Sequence, residues 1–254
     1  MNRKKSILLL LSVCFVLLFA VHTEAAMSNK YYAATQKGTK VGSQKTFAIV
    51  PKKSSGQNGY DLYLTVGGQG VRRILSGIEP QVWTNGVYVY YSRETAMTSS
   101  GSFTGTIYRY NVVTGKSKKM IAGSRYTICG AYGDFLYMGH DNSADGIYLY
   151  CYNVRTGAKK FMYRRSQGSV QIADSRVLVQ TNTGAQGNYP ILIFNLSGTN
   201  KVKIANGCGA KIKNGYVYYV QWNQSTNKYH LKRCSLTGEN KVTVSGWNSK
   251  YPTF

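Results

Sequence analysis

The chain repeats one pattern about five times, and that repetition constrains its fold more than any other feature. Residues 86–91 read Gly-Val-Tyr-Val-Tyr-Tyr. A polar loop follows, then an extended run at 106–115 ending in Asn-Val-Val-Thr-Gly, then a lysine-rich run at 116–120. The same order returns at 134–138, 146–157 and 158–162, at 176–180, 190–198 and 201–204, and at 215–220, 229–238 and 241–244. A worn first copy occupies 46–50, 60–67 and 71–74. The turn glycines Gly115, Gly157, Gly198 and Gly238 recur about every 41 residues, the length of one four-stranded propeller blade.

Each copy contains four short runs rich in Val, Ile, Tyr and Phe, which suit a pleated sheet. In the third copy they are expected near 126–131, 135–139, 147–154 and 159–163. Gly133-Asp134 and Asn214-Gly215 supply tight turns between first and second runs. The second runs at 87–91 and 216–220 are apolar on both faces, where a half-wet sheet would alternate. A blade sandwiched between two neighbours explains this. The fourth runs are more polar and belong at an outer edge, where lysines discourage edge-to-edge pairing. No segment after the first 25 residues carries a helical period. The expected fold is therefore all-β: a β-propeller of about five four-stranded blades, with a degenerate sixth if the stretches 30–43 and 247–254 add strands.

The copies resemble the blades of bacterial secreted β-propellers of unknown function. Asn-Gly-Tyr-Val-Tyr-Tyr at 214–219, Tyr-His-Leu-Lys-Arg-Cys-Ser-Leu-Thr-Gly at 229–238 and Lys241-Val242 carry the likeness. Those proteins are similar to the lipoprotein-receptor (YWTD-type) propellers and, more distantly, to TolB-like propellers. The resemblance covers about 45 to 245. It implies the propeller fold and, because those families mostly bind proteins or peptides, a binding role. They are usually six-bladed, and the five copies here depart from that number.

Residues 1–25 read as a secretory signal peptide. Arg3, Lys4 and Lys5 precede a short apolar run, and Thr23-Glu24-Ala25 places small residues for cleavage after Ala25. The remainder, 26–254, reads as a single propeller domain with no span in the mature chain. The expected location is secreted or extracytoplasmic, at the cell surface. Lys and Arg number 32 against nine Asp and Glu, a formal +23, and removing Arg3, Lys4, Lys5 and Glu24 leaves about +21. Such a charge attracts anionic polymers through a long-range, salt-sensitive field.

Catalytic chemistry is sparse. The mature part holds eight acids (Asp61, Glu79, Glu94, Asp134, Asp141, Asp145, Asp174 and Glu239), which recur at no fixed repeat position, and two histidines, His140 and His230. No nucleophile elbow, zinc helix or phosphate loop occurs, so no catalytic residue is nominated. Convergence of Asp134, Asp174 and Glu79 on one opening would favour an enzyme. Asp141, Ser143 and Asp145, followed by Gly146, match the opening of a calcium loop, but Tyr152 stands where a bidentate glutamate is required. An Asn/Asp/Gly-rich hairpin loop accounts for the same residues. Calcium is thus the one cofactor the sequence raises, and no other is expected.

The four mature cysteines are Cys129, Cys151, Cys208 and Cys234. Cys129 and Cys208 fall at first strands, Cys151 and Cys234 at third strands. Within a blade two strand spacings separate them, about 9.6 Å, beyond the roughly 7 Å a bridge spans, so no disulfide is expected. Most of the 22 tyrosines sit at repeating strand positions and read as core. Residues outside the pattern are the candidates for a ligand-binding surface: Trp222 in a loop, and Tyr31 and Tyr32 near the mature start. The first functional reading is an exported, non-enzymatic propeller that binds a protein or an anionic surface polymer, with no specific nucleic acid. The alternatives are an extracellular hydrolase or lyase acting on polysaccharide at the channel mouth, and a purely structural module.

Overall fold

A computed structural model of the chain describes residues 30–52, 59–97, 103–121, 125–142, 146–165, 168–182 and 186–253. These form strands and turns, with no helix among the described residues. A short strand β1 (Tyr32–Ala33) comes first. Blade 1 follows as β2 (Thr39–Val41), β3 (Lys45–Pro51), β4 (Tyr60–Val66) and β5 (Val71–Ile78). Blade 2 is β6 (Trp83–Thr84), β7 (Tyr88–Met97), β8 (Phe103–Asn111) and β9 (Ser117–Lys119). Blade 3 is β10 (Tyr126–Tyr132), β11 (Phe135–Asp141), β12 (Ile147–Asn153) and β13 (Lys159–Arg165). Blade 4 is β14 (Ser169–Ala173), β15 (Arg176–Gln180), β16 (Tyr189–Asn195) and β17 (Val202–Gly207). Blade 5 is β18 (Gly209–Lys213), β19 (Tyr216–Asn223), β20 (Lys228–Ser235) and β21 (Val242–Asn248).

Every blade is an antiparallel meander from its first strand to its fourth. The first-to-second and third-to-fourth hairpins therefore lie at one end of the blades, and the links between blades at the other. The turn between β18 and β19 has both central residues in the left-handed region, Asn214 at 51° and Gly215 at 76°, which matches the strand twist. The third-to-fourth turns are held by a repeated asparagine. Asn111 Oδ1 accepts from the backbone N–H groups of Val113 and Thr114, and Asn153 Oδ1 from those of Arg155 and Thr156. This side-chain mimic of a backbone turn explains why Asn opens each Thr-Gly hairpin in these copies.

Among the described residues, four apolar interfaces join the five blades. Phe47, Leu62 and Leu64 of blade 1 meet Val89, Tyr91 and Tyr110 of blade 2. Tyr90 and Ile107 of blade 2 meet Leu136 and Met138 of blade 3. Tyr137, Leu149 and Cys151 of blade 3 meet Val177, Val179 and Phe194 of blade 4. Leu178, Ile191 and Ile193 of blade 4 meet Ile212, Val217 and Tyr219 of blade 5. Successive residues of a second strand thus enter two different cores, which is the physical reason those strands do not alternate. Full burial of each such side chain stabilises the fold by about 1.5–3 kcal/mol.

Two features go beyond the expected separate blades. Strand β1 pairs with β6, Tyr32 opposite Thr84, and adds a fifth strand to the inside of blade 2. Tyr126 pairs with Gly105, so blades 2 and 3 form one nine-stranded sheet. The stretch 30–43 contributes β1 and the first strand of blade 1, and residues up to Asn248 complete blade 5. No sixth blade forms among the described residues.

Candidate binding surface

The inner ends of blades 1 to 3 are laced together by the N-terminal segment. Lys30 bridges to Tyr132 in blade 3, Tyr32 and Ala33 pair with blade 2, and Thr35 bridges to Ala48 in blade 1. The Ala34 N–H also donates to the Val82 carbonyl at 2.9 Å. Tyr31 turns into the core between blades 2 and 3 and is only 7% exposed. Its ring lies 5.3 Å from that of Tyr90, and burial, reinforced by Tyr90, pushes its hydroxyl far above the ordinary tyrosine range. Tyr31 therefore holds the fold together and is not open to a ligand. Tyr32 is half-buried, with the Lys30 ammonium 5.4 Å from its ring centre.

Trp222, expected in a loop, lies in strand β19 and is half-buried. Asn188 clamps it: the Asn188 amide donates to the Trp222 carbonyl at 2.7 Å and accepts from the Trp222 N–H at 2.9 Å. Its indole N–H donates to Asn227 Oδ1 at 3.1 Å. Of the calcium-loop residues, Asp141 ends β11, while Ser143 and Asp145 lie outside the described residues.

Asp134, Asp174 and Glu79 do not converge. Asp134 and Asp174 sit on first-to-second hairpins at one end of blades 3 and 4. Glu79 is buried in the link between blades 1 and 2, at the opposite end. Asp134 pairs with Arg155 at 2.8 Å, and Asp174 Oδ2 accepts from the Gly215 N–H at 2.9 Å. Among the described residues no three of His, Cys, Asp and Glu approach closely enough to share a metal ion. Both histidines are driven towards the neutral form. Burial lowers His140, with Lys159 and Arg125 adding to it, and burial then Lys232 lowers His230.

The four cysteines are thiols, with Cys151, Cys208 and Cys234 buried. Burial pushes Cys151 up to about 12 and Cys208 up to about 11. Alkylation by iodoacetamide at pH 8 is expected to proceed on the order of a hundredfold more slowly at these two thiols in native protein than after denaturation. Mass mapping of alkylated peptides checks this, and equal rates in both states would contradict the buried placement.

What the surface does carry is cation. The outer strands β5, β9, β13, β17 and β21 contain no acidic residue. They expose Arg72 and Arg73, Lys118 and Lys119, Lys159 and Lys160, and Lys203, with Lys241 just before β21. Several cations rest on tyrosine rings: Arg109 lies 4.6 Å from the centre of Tyr88, Arg233 4.7 Å from Tyr216, and Lys159 4.9 Å from Tyr150. Such stacking holds a long side chain in place without neutralising it. Of the outer-strand cations Lys159 is held this way, Arg73 pairs with Asp61 at 3.2 Å, and the others stand exposed along the outer strands from blade to blade.

Comparison with known proteins agrees with the architecture. The chain is similar to an oligogalacturonate lyase solved in complex with manganese, at 10% identity over 85% of this chain and 66% of that one, TM-score 0.54. It is similar to a prolyl endopeptidase at 12% identity over 78% of this chain and 32% of that one, TM-score 0.56. TolB from Acinetobacter baumannii matches at 14% identity over 84% of this chain and 53% of that one, TM-score 0.47. The chain thus spans between about a third and two thirds of the length of these structures. No family model and no curated protein matches it. Blade topology and the likeness to the lyase and the prolyl endopeptidase together define the class: the chain is a β-propeller, with five blades among the described residues.

Proposed function

We propose that this propeller is a non-catalytic, extracytoplasmic binding protein that holds an anionic surface polymer against the basic outer strands of its blades. The observation that carries the reading is the run of exposed Lys and Arg on outer strands that contain no acid at all. Surface charges of one sign, fixed on a rigid sheet edge, attract a polyanion cooperatively, and salt screens that attraction. Asp134 and Asp174 on one side and Glu79 on the other lie at opposite ends of the blades, so these acids do not form a shared acid–base pair.

Binding to an immobilised acidic polymer is expected to weaken by at least about tenfold between roughly 50 and 500 mM salt. Replacing Lys118, Lys119, Lys159 and Lys160 by Gln should flatten that dependence. Affinity unchanged across the salt range would overturn the reading.

A further inference from the structure

The face of blade 5 that looks away from blade 4 differs from every corresponding face in the molecule. In blades 1 to 4 that face is covered by the next blade. On blade 5 the core on that side is made of its own residues, Cys208, Val220, Tyr229 and Leu231, and no core joins it to blade 1 among the described residues. The C-terminal residues roof one half of it: the Tyr251 ring meets Tyr229 edge-on at 5.3 Å. The other half stays in water. There Lys213 lies opposite Tyr216 and Lys211 opposite Tyr218, while Arg233 completes the Tyr218 row. Tyr216 is 41% exposed and both lysines are exposed.

Strand register shows why no blade covers this half. The residue paired with Tyr90 of blade 2 is Trp83, with Tyr137 of blade 3 it is Gly130, and with Leu178 of blade 4 it is Gln171. Blade 5 places Lys211 at that position. Burying two lysines under a blade without partners strips them of water with nothing to replace it, so an apolar cover is disfavoured. A second copy presenting the same face would set like charges against each other.

We infer that this half-face, Lys211, Lys213, Tyr216, Tyr218 and Arg233, is a docking surface for an acidic polysaccharide, the carboxylates meeting the cations and the sugar hydroxyls meeting the tyrosine hydroxyls. It rests on the reading above that the protein binds a polyanion, names the polymer, and adds a second contact to the outer strands already described. The surface is a sheet face rather than a sheet edge, so a peptide cannot dock here by adding a strand, and recognition falls to side chains. The Arg233 guanidinium lies over the Tyr216 ring, which removes the open aromatic plane on which a nucleic-acid base would stack.

The test titrates a soluble oligogalacturonate into the whole protein at low salt, with inorganic polyphosphate and single-stranded oligothymidylate as parallel probes. Lys211→Glu combined with Lys213→Glu should weaken oligogalacturonate by about tenfold or more, and Tyr216→Ala by about fivefold, whereas the exposed pair Lys37→Gln with Lys40→Gln changes it by less than about threefold. The replaced lysines are exposed, and unchanged melting temperatures confirm that these variants fold. Loss on the outer-strand substitutions with no loss at Lys211 and Lys213 would overturn this surface and leave the general reading standing. Equal or tighter binding of polyphosphate or oligothymidylate through Lys211 and Lys213 would overturn the polysaccharide. Failure of the wild-type protein to bind any of the three would overturn both.

Discussion

Tyr137→Ala is expected to destabilise the protein by about 4 kcal/mol and to lower its melting temperature by about 12 °C. The ring is fully buried in the core between blades 3 and 4. Its hydroxyl donates to the Leu196 carbonyl at 2.6 Å, across the boundary between the two blades. The substitution therefore opens a cavity, removes a hydrogen bond and loosens an interface in one step. Tyr137→Phe separates these contributions. It keeps the packing and loses only the bond, and the Leu196 carbonyl retains the Cys151 thiol at 3.5 Å, so the cost falls to about 1 kcal/mol. Chemical denaturation of the two variants measures both numbers. Equal losses would mean that the hydroxyl, and not the ring, joins the blades.

Tyr31→Ala should cost about 3 kcal/mol, well above the roughly 1 kcal/mol expected for Tyr32→Ala. The two residues are adjacent in sequence and unlike in environment. Tyr31 sits among Tyr90, Ile107, Ile128 and Met138, whereas Tyr32 is half in water. Because the segment around Tyr31 touches three blades, its loss should also broaden the unfolding transition. Thermal melts of the two variants decide the matter. If Tyr31→Ala left stability intact but weakened polymer binding, the residue would belong to a recognition surface after all.

These two tyrosines also show where sequence reasoning reaches its end. Blades 2 to 5 were legible because each repeats a strand pattern whose apolar residues face two neighbours, a demand strong enough to mark every copy. The placement of Cys129 and Cys151 within β10 and β12 followed from the same register. The strands β1 and β2 fall in the stretch 30–43 that the sequence offered for a sixth blade, and with two and three residues they are too short for a period to place them. Tyr31 stood outside the repeat and so read as surface, but its burial depends on blades 2 and 3 coming together, which no local pattern encodes. The pairing of Tyr126 with Gly105 has the same origin. Trp222 misled for a different reason. Strand β19 runs four residues past Tyr219, the last of the repeated tyrosines, carried by its pairing of Trp222 with Tyr229 and Asn223 with Lys228.

The candidate site was legible in part. The polar character of the fourth runs showed in the sequence, and so did the total charge. What could not be read was the contrast between one blade and the next. Lys211 is remarkable neither as a lysine nor in its own copy. It becomes informative only beside Trp83, Gly130 and Gln171, the residues that hold its place elsewhere, and that equivalence rests on strand register.

The bridge from Lys30 to Tyr132 sets an order of events for the growing chain. The beginning of the described fold cannot find its final place until about a hundred further residues have been made. Contacts so distant along the sequence are slow to form, since a long loop must close first. The opening segment thus stays unattached through much of synthesis, and its docking acts as a late clasp that finishes the first three blades together.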